Sequence, residues 1–216
     1  MSSQSEGPEG QSARNLRFRR DQPEFGRVVN LSDAVFAIAM TLLVFTLDLG
    51  QLQGEPARFV REQTPNILVF MLAFALVANV WWQHHKLFAM LGSIETGMVV
   101  INLALLGAVA LVPYPTTLVG NFPTSAAAVV TFIGLFVILN LLYMMFVMRA
   151  QHVGAWEPAL PQRFYYWLVV QPITGAVVLV IAALLTLWRP LLGLAILGIS
   201  IVFGPFAARL SYTDEN

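Results

Sequence analysis

Residues 27–33 read Arg27-Val28-Val29-Asn30-Leu31-Ser32-Asp33, and they run directly into an apolar stretch that continues to Leu47. The sequence thus places an arginine, a serine and an aspartate at, or inside, the edge of a first membrane-spanning helix. Ionisable groups at this depth are energetically unfavourable and usually serve a function. We therefore predict that this segment belongs to the functional part of the protein.

The composition is that of an integral membrane protein. The chain has 216 residues, of which 57% are hydrophobic and 11% charged, whereas soluble domains carry roughly 25% charged residues. No charged residue occurs between Glu95 and Arg149, or between Arg163 and Arg189, and each gap exceeds the roughly 20 residues that cross a bilayer. There is no cysteine, which excludes disulfides and thiolate metal sites. The net charge of zero gives no indication of a nucleic-acid partner, and we expect no cofactor.

Hydropathy and punctuation predict an all-α fold with six transmembrane helices, over about residues 28–49, 66–87, 96–118, 124–148, 164–188 and 190–208. Thr64 and Pro65 are a plausible start for the second helix, and Pro172 and Pro205 should lie inside helices. Residues 1–22 have no apolar core, so they are not a signal peptide and are predicted to be a disordered tail. The membrane domain is predicted over residues 23–210, followed by a short tail at 211–216.

Lysine and arginine residues predict the orientation, because they concentrate on the cytoplasmic side. With six spans, both termini share one side. That side carries nine basic residues, namely Arg14, Arg17, Arg19, Arg20, Arg27, Lys86, Arg149, Arg163 and Arg209. The other side carries Arg58, Arg61 and Arg189. Both termini are therefore predicted to be cytoplasmic.

The polar start of the first helix has two interpretations. Asp33 and Asp48 bracket 14 uncharged residues, which rise about 21 Å as a helix and fall short of a hydrocarbon core of about 30 Å. The span must therefore include one or both aspartates near its ends. Either Asn30, Ser32 or Asp33 simply caps the helix at the headgroups, or these groups face protein or water inside an assembly.

An apolar stripe follows on the same helix. At 100° per residue, Arg27 and Ile38 lie about 20° apart, whereas Asp33 lies about 140° from Ile38. The stripe continues with Leu42 and Phe45, and Thr41 lies beside it. Ordinary helix packing or lipid contact would explain such a stripe as well as a functional surface would.

The stretch from Arg27 to Phe45 resembles the first helix of a known family. Its hallmark, Arg-x-x-x-Phe-Ser-Asp followed by an apolar helix, belongs to the endosomal and lysosomal potassium channel family, transmembrane protein one-seven-five, here in its bacterial branch. Arg27, Ser32 and Asp33 match the hallmark, and Leu31 stands where the family usually has phenylalanine. Outside the first helix the resemblance depends on length, span count and the aromatic and histidine residues that end the second helix.

The resemblance implies a homotetrameric, potassium-selective channel of the cell membrane, in contact with lipid, whose first helix lines the pore. The constriction five residues after the motif aspartate would be Ile38. Leu42 and Phe45 would form the next layers toward the outside, although Phe45 is bulkier than the leucine often found there. Thr41 corresponds to a threonine that is implicated in selectivity.

Such a constriction would select ions by dehydration. The sequence contains no Thr-Val-Gly-Tyr-Gly loop, so a ring of backbone carbonyls cannot be the filter. A ring of Ile38 side chains would strip part of the hydration shell from permeant monovalent cations. This favours potassium modestly over sodium, because potassium holds its water less tightly.

Arg27, Leu31, Ser32 and Asp33 would then form a network that supports the pore helix, with an Arg27–Asp33 ion pair and serine hydrogen bonds. The second helix ends in Trp81-Trp82-Gln83-His84-His85-Lys86. Adjacent histidines on a helix do not face each other, so an aromatic belt or inter-helix hydrogen bonds are favoured over a metal site. By the resemblance, His84 or His85 would contact the Arg27–Asp33 segment.

Two other classes of function are less consistent with the sequence than a channel. A secondary transporter, the main alternative, should show paired broken helices and ionisable groups near the midplane, and the ionisable residues here lie near helix ends. An intramembrane enzyme needs a nucleophile, base or metal set, and His152 is the only histidine besides His84 and His85. The protein is therefore not expected to be an enzyme.

Overall fold

The computed structural model describes residues 16–47, 56–159 and 162–199. Helices dominate this part of the chain. They are α1 Pro23–Leu42, α2 Pro56–Ala89, α3 Thr96–Ala110, α4 Pro113–Asn121, α5 Ala126–His152, α6 Gln162–Thr186 and the shorter α7 Pro190–Ile199. A 3-10 turn, Leu43–Thr46, extends α1. Two short strands, β1 Arg17–Arg19 and β2 Ser93–Glu95, complete the described elements.

Five stretches are long and apolar enough to cross a bilayer: Pro23–Thr46, Val60–Ala89, Thr96–Asn121, Ala126–His152 and Leu168–Thr186. The protein is therefore a multi-pass membrane protein. Of the predicted sixth span, α7 covers the first half, and residues 200–208 lie outside the described residues, as do Asp48, Pro205, Arg209 and the tail at 211–216. The count of six spans thus stays a prediction.

The second helix begins earlier than its sequence suggests. It starts at Pro56, and Pro65 lies inside it, so the predicted start at Thr64 and Pro65 is wrong. Pro56 occupies the first helical position, where a missing N–H is of no consequence. Pro172 lies inside α6, as predicted.

The third predicted span is one apolar stretch divided into two helices. α3 ends at Ala110 and α4 begins at Pro113. Pro113 and Pro115 lack backbone N–H groups, so the α-helical ladder cannot continue through them. Proline is favourable in the first turn of a helix, and α4 therefore restarts at this point.

The first helix packs against α2 and α3, and α5 packs against α3, α4 and α6. The centre of the bundle is apolar and rich in phenylalanine. Its largest fully buried side chains include Phe36 of α1, Met98 of α3 and Phe132, Phe136 and Phe146 of α5. α1 is thus held on one side by the rest of the subunit.

The end of the predicted disordered tail is ordered. β1 pairs antiparallel with β2, with Arg17 opposite Glu95, Phe18 opposite Ile94 and Arg19 opposite Ser93. Gln22 then precedes Pro23 at the start of α1. The prediction of disorder is therefore wrong for residues 16–22, because backbone pairing with β2 compensates for the low hydrophobicity of this segment. Residues 1–15 lie outside the described residues.

Candidate functional site: the two faces of the first helix

The predicted stripe lies on the face of α1 that points away from the other helices of the subunit. Ile38 is 56% exposed, Leu42 41% and Phe45, in the 3-10 turn, 81%, and Leu31 and Thr41 are exposed on the same side. The Thr41 hydroxyl donates a hydrogen bond to the carbonyl oxygen of Ile38 at 2.8 Å. The described helices of one subunit therefore leave much of the stripe uncovered.

The inward face of α1 centres on a buried polar network. Ser32 is fully buried, and its hydroxyl donates to the Val28 carbonyl at 2.9 Å. The Asn102 amide of α3 donates to the Ser32 oxygen at 2.9 Å. The His84 ring of α2 lies with Nε2 2.9 Å from the amide oxygen of Asn102. Because that oxygen only accepts, His84 carries a proton on Nε2, and one asparagine joins three helices.

Asp33 lies beside this network but has a different partner. Its Oδ1 accepts a hydrogen bond from the Trp81 indole N–H at 3.0 Å. Arg27 is exposed, and within the described residues it has neither a hydrogen bond nor an ion pair. The predicted Arg27–Asp33 pair is therefore wrong within the subunit. The two residues are six positions apart, about 120° around the helix, so their side chains point in different directions.

The two histidines have different surroundings. His84 is buried, with its ring stacked on Phe88 at 4.3 Å and tilted against Phe36 at 5.3 Å between centroids. His85 is exposed and stacks on Trp82 at 5.9 Å. Among the described residues no group of three or more histidine or acidic side chains is arranged to hold a metal ion.

The histidines and the motif aspartate meet at a cleft. Its volume is about 210 Å³, and its polar lining consists of Arg20, Asp33, His84 and His85. Neither histidine makes a hydrogen bond to Asp33 in the described part of the chain. The contact predicted between the end of the second helix and the motif segment thus exists as a shared cleft, with Trp81 as the residue that bonds to Asp33.

Sequence reasoning did not find Asn102 as the residue that joins Ser32 and His84. It also missed Trp81 as the partner of Asp33, and the ion pair between Glu95 and Arg149. Glu95 is 4% exposed. A buried carboxylate requires a cationic or hydrogen-bonding partner, so an acidic residue at the edge of an apolar run was a usable signal.

Comparison with known proteins finds a family that is similar to the part of the chain that carries these features. Residues 27–113 match the sequence model described as endosomal/lysosomal potassium channel TMEM175. A potassium channel of Streptomyces collinus is 31% identical over 101 residues, covering 46% of this chain and 49% of that protein. A potassium channel of Chamaesiphon minutus is 31% identical over 130 residues, covering 57% and 64%. The matched part of the chain thus spans about half to two thirds of these relatives.

The fold agrees with the sequence match. The crystal structure of a lysosomal potassium-selective channel TMEM175 homolog from Chamaesiphon minutus superposes with a TM-score of 0.74 at 24% identity, covering 87% of this chain and 98% of that chain. The residues matched by the family include the whole stripe, the Ser32–Asn102–His84 network and Asp33 with Trp81. This is a family of ion channels, not of enzymes, and the resemblance read from the first helix is confirmed: residues 27–113 of this chain are similar to the TMEM175 family.

Proposed function

We propose that this protein is a potassium-permeable channel, a homotetramer whose first helices surround a central pore. The observation that carries the proposal is the exposure of the α1 stripe. Ile38, Leu42 and Phe45 lie on the face of α1 that the described helices of the subunit leave uncovered, within residues that match an ion-channel family. A surface of this kind becomes a pore lining when identical copies place it around an axis.

Ile38 is the proposed constriction. A ring of Ile38 side chains offers no ligand to an ion, so a cation passes only by losing part of its water, and the ring closes to ions when it dewets. The Thr41 hydroxyl donates its proton to the Ile38 carbonyl, which leaves the oxygen lone pairs of Thr41 available to a partly dehydrated cation. Selectivity for potassium over sodium should therefore be present but modest.

The buried network would aim the stripe at the axis. Ser32 is bonded to α3 through Asn102, and Asp33 is bonded to α2 through Trp81, so the rotation of α1 about its own axis is held at two successive residues. The network faces away from Ile38, and we therefore assign it a supporting role, with the ion path along Ile38, Leu42 and Phe45.

The proposed location is the cell membrane with both termini in the cytoplasm. Among the described residues, Arg17, Arg19, Arg20, Lys86 and Arg149 lie in or beside the connections at one end of the bundle. This is the distribution of basic residues that marks a cytoplasmic side. The motif at residues 27–33 would then lie on the cytoplasmic side of the constriction, and the 3-10 turn on the opposite side.

Reversal potentials of the purified protein in planar bilayers, under a potassium/sodium gradient, test the proposal. We expect unitary currents with a reversal potential displaced toward that of potassium. Replacing Ile38 with asparagine should raise the unitary conductance and reduce the potassium preference, because an amide side chain can hydrate the constriction. Ile138→Asn is the matched control, since Ile138 of α5 is 49% exposed but lies away from α1.

Two results would refute this assignment. If Ile38→Asn and Ile138→Asn channels have the same conductance and reversal potential as the wild type, Ile38 is not the constriction. If the protein gives no unitary currents but carries potassium in strict proportion to a second solute, the alternative of a secondary transporter is correct.

A further inference from the structure

The N-terminal strand is hydrogen-bonded into a layer with two connections at one end of the bundle, the one between α2 and α3 and the one between α5 and α6. β1 pairs with β2, and Leu16 and Arg20 on either side of it extend the pairing: Thr96 N–H donates to the Leu16 carbonyl at 3.1 Å, and Arg20 N–H donates to the Gly92 carbonyl at 2.8 Å. Gly92, which directly precedes β2, also donates its N–H to the Ala155 carbonyl at 2.8 Å. Residues 16–20, 90–95 and 153–157 thus form one hydrogen-bonded layer, which we call the cap.

One side chain spans the whole cap. Arg17 donates through Nε to the Ser93 hydroxyl oxygen at 2.8 Å and through Nη2 to the Gly154 carbonyl at 2.7 Å. It therefore bonds β1 to β2 and to the turn that follows α5. Among the described residues, the side chain of Arg19, on the same strand, reaches only Asp21 at 3.7 Å, and it is 74% exposed.

The cap leads directly into the first helix. The Arg20 guanidinium donates to the Ala89 carbonyl at the end of α2 at 3.1 Å, and α1 begins three residues later at Pro23. Phe25 in its first turn packs against Phe88 of α2 at 6.4 Å between ring centroids. The position of β1 therefore fixes the position of the first turn of α1.

The two parts of the cap differ in how firmly they are held. Leu91, Ser93, Ile94 and Glu95 are buried, and Glu95 is further held by its ion pair with Arg149. In β1 the two arginines are exposed and Phe18 is only partly buried. A three-residue strand with little buried apolar surface opens at a low free energy. β1 can therefore detach while the rest of the cap keeps its structure.

We propose that β1 is a latch: docked on β2 it holds the first helix in one position, and its release shifts the balance between open and closed pores. The latch acts on the cytoplasmic end of α1, about four helical turns from Ile38, so it should change how often the pore opens and not which ion passes. This inference relies on the proposed channel function.

Arg17→Ala tests the latch, and Arg19→Ala is the control with the same strand and the same change of charge. Hydrogen bonds from a charged group stabilise the docked strand, and their loss should change the ratio of docked to detached β1 about tenfold. We expect Arg17→Ala to change the ratio of open to closed time in single-channel records by about tenfold, with unchanged unitary conductance and reversal potential. Arg19→Ala should behave as the wild type within about twofold.

A reversible cross-link provides the second arm. The chain contains no cysteine, so Arg19→Cys with Ser93→Cys introduces one facing pair in an otherwise thiol-free protein. Hydrogen-bonded and non-hydrogen-bonded pairs alternate along an antiparallel ladder. Because Leu16 and Thr96, and Arg20 and Gly92, are hydrogen-bonded pairs, Arg19 and Ser93 form a non-hydrogen-bonded pair. The Cα atoms of such a pair are about 4.5 Å apart, a distance that suits a disulfide. Oxidation should lock the latch and cancel the effect of Arg17→Ala, and reductant should restore that effect.

The outcomes separate the two proposals. Wild-type currents together with an Arg17→Ala open-to-closed ratio within twofold of the wild type would overturn the latch and leave the channel intact. An effect of Arg17→Ala that the disulfide does not reverse would also overturn it. If Arg17→Ala does not assemble, the protein with Arg19→Cys and Ser93→Cys provides the test. The same ratio of open to closed time before and after reductant would contradict the latch. Absence of any wild-type current removes the channel function and the latch with it.

Discussion

Replacing Asn102 with alanine should destabilise the protein through two orphaned groups. Asn102 is 1% exposed, and its amide is bonded at 2.9 Å to both Ser32 and His84. Ser32 retains its own bond to Val28 but loses a donor, and the Nε2–H of His84 loses its acceptor. Both groups are buried, so water cannot replace the amide.

The size of the effect follows from these two bonds. An orphaned buried polar group costs about 1–3 kcal/mol, and inter-helix hydrogen bonds in membrane proteins contribute about 0.6 kcal/mol on average and up to about 1.7. Two bonds therefore give a loss of about 1–3 kcal/mol in the free energy of unfolding. At about 2–4 °C per kcal/mol for a chain of this size, the midpoint of thermal unfolding should fall by about 2–12 °C.

Thermal unfolding in detergent, followed by tryptophan fluorescence and by retention of the assembled species on size exclusion, measures this shift. Asn79→Ala of α2 is the control, because it makes the same change in helix propensity and the Asn79 side chain has no hydrogen bond within the described residues. If the two variants unfold within about 1 °C of each other, the network does not hold α1 and the reasoning is refuted.

Two further substitutions probe contacts around the same helices. Trp81→Phe removes the donor to Asp33 and should lower the free energy of unfolding by about 1–2 kcal/mol. Its control is Trp156→Phe, which loses an exposed hydrogen bond and should change the free energy of unfolding by less than about 0.5 kcal/mol. Equal melting temperatures of the two variants would disprove the contribution of the Asp33 bond. Gly92→Ala places a methyl group against the Glu157 side chain and should lower the free energy of unfolding by about 1–3 kcal/mol. Adding Glu157→Gly should recover most of this loss, because it removes the side chain with which the methyl group overlaps. A double variant as unstable as Gly92→Ala would contradict the steric overlap.

Hydropathy located the membrane-spanning stretches well but not the ends of the helices. It reports which residues prefer lipid, and α2 continues beyond that limit to Pro56, where the charged residues Arg58, Arg61 and Glu62 indicated a loop. Thr64 and Pro65 fitted a helix start equally well. Only packing against other elements decides between two acceptable prolines, and that information is not local.

The candidate site divides in the same way. The periodicity of Ile38, Leu42 and Phe45 depends on a single helix, so the sequence could predict their common face. The partners of Ser32 and Asp33 depend on how α2 and α3 rotate against α1, which no spacing within one helix can tell. The Arg27–Asp33 pair failed on a local criterion that was available, since only residues three or four apart face each other on a helix.

The outward position of the α1 stripe has a consequence for how this protein can evolve. More than half of the Ile38 surface is left uncovered by its own subunit, and lipid is as apolar as its side chain, so its size and branching contribute less to whether a subunit folds or inserts than those of a buried residue. Ser32 and Asn102 differ in this respect, because a substitution of either one breaks the buried hydrogen bonds between helices and so affects folding. If the stripe lines the pore as proposed, ion preference can thus drift through single substitutions on one side of a helix, while the other side preserves the architecture that makes those substitutions tolerable.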